Sequence, residues 1–183
     1  MLITDIRAHH IRIPYDAGVA SFKQGASAIS ALEIIMVEVS TDAGIPVLIH
    51  TGLTGIGQGL PGGKGILLDH GHPRHIDAVA ARFPELKILA ARPAFPWQDE
   101  MIAVMLHKGN VHYELHGWSP KALSPALKRE IGGRLQDRIM FGCDYPVLRY
   151  EMMIERWKGL GYRDEVLEKI FHKNAESYFP GAT

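Results

Sequence analysis

Hydrophobic and polar positions fall into two rhythms that meet near residue 44. In the first, Leu2, Thr4 and Ile6, then Ile11 and Ile13, alternate with polar residues, the period of a half-buried strand. Pro14 and the stretch 16–21 break that run. Residues 31–39 (ALEIIMVEV) form a second β-rich run, and Thr41-Asp42-Ala43-Gly44 closes it as a turn. Two strands joined by a loop predict an antiparallel β-hairpin.

From Ile45 onward short apolar runs alternate with amphipathic stretches, the pattern of parallel β/α units. PVLIH (46–50), LKILA (86–90), NVHYEL (110–115) and RIMFG (138–142) read as buried strands. Residues 73–83 read as a helix with Ile76, Val79, Ala80 and Phe83 on one face. Helices also follow over 97–107, 124–135, 150–160 and 164–178, the last opened by Asp164 as its N-cap. The fold class is therefore α/β: a partial TIM-type (β/α) barrel of about four β/α units, with the hairpin at its N-terminus. The domains are 1–44 and 45–183. A complete barrel of this kind takes about 250 residues, so 183 residues hold roughly half of one.

Composition narrows the partners. Lys plus Arg and Asp plus Glu both number 20, which argues against nucleic acid or an acidic membrane surface, whose footprint is an excess of positive charge. No apolar run reaches the ~18 residues of a membrane helix, and the charged, alternating N-terminus is not a signal peptide. The single cysteine, Cys143, allows no internal disulfide and fits a reducing compartment. The expected location is cytoplasmic and the expected partner a small molecule. Half a barrel leaves strand edges open, so a homo-oligomer is expected too.

Two residues carry the chemistry most directly. His50 ends the strand 46–50, and Asp144 follows the strand 138–142 in FGCDYP. Catalytic groups of parallel barrels sit at strand C-termini, and imidazole with carboxylate suits a divalent metal that acidifies bound water. Each residue taken alone reads equally as a loop-facing polar side chain. His116 lies in the loop after 110–115, on the presumed active face. Trp118 follows it, as a pocket wall or as packing.

The segments PVLIHTG, HPRHIDAVAARFPELKI, AFPWQDE, NVHYELHGWSP, LQDRIMFGCDYP and VLEKIFHKNAE resemble, in order and spacing, the amidohydrolase-2 family. That family includes decarboxylases related to aminocarboxymuconate semialdehyde decarboxylase, and some hydrolases and hydratases. The resemblance implies a metal-dependent hydrolase or decarboxylase acting on a small carboxylated substrate. It implies that His50 and Asp144 are ligands of a divalent ion, zinc or manganese. Asp144 could also hold or deprotonate the bound water. From their places in the chain, His116 is a further catalytic or substrate-contact candidate, and Arg92 and Trp118 are candidates against substrate. The family's early ligand pair on the first barrel strand has no counterpart here. Where a catalytic histidine falls after the sixth barrel strand, this chain has Ala91 and Arg92. An arginine is no base at neutral pH. It would clamp a carboxylate or serve as a structural ion-pair partner, the simpler role. Two protein ligands are fewer than the three of a catalytic zinc site. A catalytically inactive fused or truncated remnant is therefore the rival reading.

Residues 1–44 resemble the opening of the mandelate racemase and muconate lactonizing enzyme family, where such strands belong to a capping domain. This segment implies a capping element, and racemase-like chemistry stands as a further alternative. Adjacent His9 and His10 do not restore a ligand pair, since neighbours on a strand face opposite ways. The G-x-G-x-x-G of Gly57–Gly62 is read as a loop over the site, because no helix opens at once after it. His70, His72 and His75 are read as structural residues at a helix start.

Overall fold

The structure, a computed structural model, describes residues 3–14 and 31–41 as strands and residues 46–179 in full. The turn expected before Ile45 and the side chains of His9 and His10 lie outside the described residues. The chain divides into two units, Met1–Ile45 and Pro46–Thr183. The first contains strands β1 (Ile3–Pro14) and β2 (Ala31–Thr41).

The second unit is built on four parallel strands, β3 (Val47–His50), β4 (Ile88–Ala91), β5 (Val111–Glu114) and β6 (Ile139–Met140), ordered as in the sequence. Helices α1 (Pro73–Arg82), α2 (Gln98–His107), α3 (Pro125–Ile131) and α4 (Tyr150–Lys158) alternate with them. The expected parallel β/α run is present. A terminal helical stretch comprises α5 (Asp164–Glu168), a π-turn (Lys169–Lys173) and α6 (Asn174–Tyr178).

Alternation places successive strand side chains on opposite faces. Ile88, Ala90, Val111, Tyr113 and Ile139 point toward the helices and join Ile76, Met101, Met105, Leu127, Ile131 and Trp157 in one buried cluster. Leu89 and Met140 point the other way and pack on Tyr178, with Ala175 and Phe179 beside it. Each such aliphatic burial contributes about 1.5–3 kcal/mol. β3 is different. Leu48 is 59% exposed and His50 is exposed too, as befits a strand with a neighbour on one side only.

Side chains fix the joints. Asn110 Nδ2 donates to the carbonyls of Ala80, Phe83 and Leu86, closing the end of α1. Ser124 Oγ accepts the Leu127 N–H as the N-cap of α3. Two expectations shift. The helix expected over 124–135 stops at Ile131, where Gly132 and Gly133 follow. Asp164 is not the N-cap of α5 but its first residue, with Arg163 at the cap. Its carboxylate, with that of Glu165, faces the positive end of the helix dipole instead.

Candidate functional site at the strand C-termini

The register sets the ends of the strands level. His50 pairs with Ala91, Ala91 with Glu114, and Glu114 with Met140. The residues that follow each strand therefore emerge along one rim of the sheet, which is where the sequence reading expected chemistry.

At the end of β4 the backbone turns sharply. Arg92 adopts a left-handed φ of 69°, an unfavourable conformation for a side-chain-bearing residue. Its N–H bonds the Glu114 carbonyl at 2.9 Å. Buried Thr51 donates its hydroxyl toward the carbonyls of Ala91 (3.1 Å) and Arg92 (2.9 Å). The Ala94 N–H donates to the Tyr113 hydroxyl at 2.6 Å. These bonds over-determine the turn and hold the strain in place. The Arg92 guanidinium lies against Gly117, where a Cβ would come within 2.6 Å of its Nη2. Arg92 Nε is buried without a hydrogen-bond partner, and no ion pair involves Arg92 among the described residues. The structural ion pair expected as its simpler role is thus absent there.

At the end of β5, Glu114 and His116 stand two residues apart, so they share a face. The Glu114 Oε2 meets His116 Nδ1. The other carboxylate oxygen, Oε1, is buried with no partner. It lies where only a glycine fits, since a Cβ on Gly142 would sit 1.5 Å from it. His50 completes the group. Burial, then the positive charge of Arg92 and the nearby His116, hold its pKa below the ordinary histidine value. The imidazole of His50 is therefore kept neutral, the form that offers a lone pair to a metal or a proton.

Asp144 follows β6 on a second left-handed residue, φ 65°, and its carbonyl accepts the N–H groups of Val147 and Leu148. No hydrogen bond or ion pair joins it to His50, Arg92 or His116 among the described residues. Cys143 beside it is buried and donates its thiol to the Leu148 carbonyl at 2.9 Å. Trp118 packs on Phe95, ring centroids 5.2 Å apart.

A cavity of about 290 Å³ opens beside His50, walled by Ile56, Ile66, Leu67 and Leu68 from the loop after β3. A slightly larger one, about 310 Å³, lies between Phe95–Asp99 and Ala122–Ser124 and touches none of these polar groups. The first is the one at the chemistry. Gly57–Gly62 lies in this loop, and the next α-helix does not begin until Pro73, so it is no dinucleotide site. Of the histidines that follow, His70 lines the same cavity as His50, and the other two make local contacts at the start of α1. His72 Nδ1 accepts the Arg74 N–H as the N-cap of α1, and His75 Nε2 meets the Asp69 carbonyl.

The structure thus gathers His50, Arg92 and His116 within electrostatic reach of one another. Three contributors had no role in the sequence reading. Glu114 could have been found from the E-x-H spacing at a strand end. Thr51 and Gly142 give no such signal, because their importance lies in contacts to residues 40 and 28 positions away.

Comparison with known proteins gives the setting. A sequence model for a family described as Amidohydrolase matches residues 35–181. A crystal structure of an uncharacterised TIM-barrel protein from Bordetella bronchiseptica is similar, with a TM-score of 0.63 and 28% identity. The match covers 75% of this chain and 46% of that one, so the chain spans about half the length of that protein. No curated protein matches.

Proposed function

The chain belongs to the amidohydrolase family, and from that premise we propose that it serves a hydrolase- or decarboxylase-type reaction on a small carboxylated molecule bound at the strand C-termini. The observation that carries this reading is the convergence of His50, Arg92, Glu114 and His116 on one rim, within a family match that runs through all four strands. Arg92, whose charge reaches His50, would bind the substrate carboxylate through its guanidinium. The aliphatic wall of the cavity and Trp118 would cover the rest of the molecule.

Members of the family are generally metal-dependent, and a divalent ion, zinc or manganese, would act as a Lewis acid. Neutral His50 suits such an ion, and Asp144 is the carboxylate the resemblance pairs with it. The fit is incomplete. Among the described residues no group of three His, Cys, Asp or Glu side chains comes together that could hold an ion, and a catalytic zinc takes three.

Metal content per chain, measured by plasma mass spectrometry beside a His50→Ala variant, tests the reading. About one ion per chain, lost in the variant, supports a site that His50 serves. No retained metal in either sample counts against metal-dependent chemistry in this chain.

For residues 1–44 we propose an appended antiparallel hairpin that acts as a capping element. The pairing of β1 with β2, from Ile3 against Thr41 to Pro14 against Ala31, supports the hairpin. We also propose that the chain self-associates, on the ground that among the described residues no strand pairs with the outer edge of β3, where Leu48 is exposed. A monodisperse monomer in size-exclusion chromatography with light scattering would overturn this. No helix among the described residues is long and apolar enough to cross a membrane.

A further inference from the structure

The structure assigns a proton-transfer dyad to Glu114 and His116, with His116 as the group that exchanges the proton and Glu114 as the residue that positions it. The inference rests on the amidohydrolase reading for its substrate, but not for its geometry.

Three observations lead to it. First, Glu114 Oε2 meets His116 Nδ1. An ionised carboxylate only accepts hydrogen bonds, so Nδ1 must carry the hydrogen. In the neutral ring the free lone pair is then on Nε2. Second, the carboxylate is built in rather than solvated. Its side chain is 13% exposed, and its second oxygen is buried without a partner. Leaving such a group unsatisfied costs stability, and such costs persist where function needs them. Third, the backbone gives way to it. Gly142, on the neighbouring strand's exit, is the one residue type that leaves room for Oε1, and a Cβ there would also crowd His116 Cβ at 2.7 Å. The His116 side chain is itself 23% exposed, so the imidazole is at the polar rim and not in the core.

The chemistry balances without a further reagent. In a hydrolysis, Nε2 of His116 takes a proton from a water as that water's oxygen bonds to the substrate's acyl carbon. The imidazolium so formed is stabilised by the Glu114 carboxylate. Nε2 then returns the proton to the leaving atom as its bond to the acyl carbon breaks. This division of labour is the general one for an imidazole oriented by a carboxylate.

The test is the tautomer of His116, read by nitrogen-15 long-range correlation NMR on the full chain at a pH where the ring's own nitrogen shifts show a single ring proton. A His116→Gln sample identifies its resonances among the ten histidines. The expected result is a protonated Nδ1 and an unprotonated Nε2. Glu114→Gln should shift the population toward protonated Nε2, while Glu114→Asp, which keeps a carboxylate, should restore the first tautomer in part. A wild-type His116 protonated at Nε2, or a tautomer indifferent to Glu114→Gln in a folded variant, would overturn the dyad. Metal content of the same samples reports on the family-level reading. It is independent of this outcome, so the two can fail separately.

Discussion

The two faces of the four-stranded sheet solve different problems. The helix-facing side, with Ile88, Ala90, Val111, Tyr113 and Ile139, is buried throughout, and its one polar group, the Tyr113 hydroxyl, accepts the Ala94 N–H. The other side carries Leu89 and Met140 but also His112 and Glu114, and ends in Arg92, His50 and His116. Of the five buried polar side-chain atoms without partners among the described residues, four belong to this side, its rim or the helix packed on it: Arg92 Nε, His112 Nδ1, Glu114 Oε1 and Tyr178 Oη. One face therefore holds the fold, and the other tolerates unmet polar groups near the candidate site.

Mutations can break that contrast. The largest effect should come from the apolar face. Ile139→Ala removes buried aliphatic volume and should lower unfolding free energy by about 2–5 kcal/mol, measured by chemical denaturation. An effect below ~1 kcal/mol would mean that this side is not the stabilising one.

A second prediction concerns His112 and acid. Its ring packs on Tyr178 with centroids 4.2 Å apart. Burial, then the charges of Arg138 and Lys87, depress its pKa to about 4. Unfolded, the same group titrates near 6.5. Between those values the unfolded chain binds the extra proton, so stability is full above pH ~6.5 and falls as pH drops toward 4. The loss should be ~1–3 kcal/mol. In His112→Phe that part of the acid slope should vanish, as read from melting temperatures at pH 7.5 and 4.5. An unchanged slope would show that His112 is not the responsible group.

A third prediction concerns strain at the rim. Arg92→Gly removes a left-handed, unpaired side chain and should leave stability unchanged or raise it by up to ~1 kcal/mol. The same variant should weaken binding of a small carboxylate such as benzoate, followed by NMR titration. A clear loss of stability would mean that Arg92 has a structural partner after all. The smallest effect belongs to the solvent. Breaking the exposed Lys158–Glu155 pair, 3.1 Å apart, should change stability by no more than ~0.5 kcal/mol.

Much of the second unit was legible in the chain itself. The 3.6-residue spacing of Ile76, Val79 and Ala80 disclosed α1, and short apolar runs disclosed all four parallel strands: β4 and β6 are buried on both faces, while β3 and β5 alternate in burial. Helix ends were less visible. Gly132-Gly133 stops α3 four residues early, and Asp164 serves the helix dipole from inside the first turn. At the site, His50, Arg92 and His116 were legible because strand ends are where a barrel places its chemistry. The Arg92 turn was not. Its left-handed backbone depends on Thr51, 41 positions away, and non-local contacts leave no local pattern. Nor did spacing reveal that Gly142 makes room for a carboxylate.

The terminal π-turn has a consequence for the sheet as a whole. Within it, the Asn174 N–H reaches back to Lys169, and the Ile170 carbonyl accepts the Phe141 N–H at 2.8 Å. Asn174 Nδ2 donates to the Ile139 carbonyl at 2.7 Å. The outer flank of β6 thus already has partners, supplied by a helix in place of a strand. Among the described residues of its unit, β3 has no such cover. The sheet is consequently one-sided in its capacity to grow. A further strand, from whatever source, has a single berth, alongside Val47–His50, and it would arrive next to the imidazole of His50.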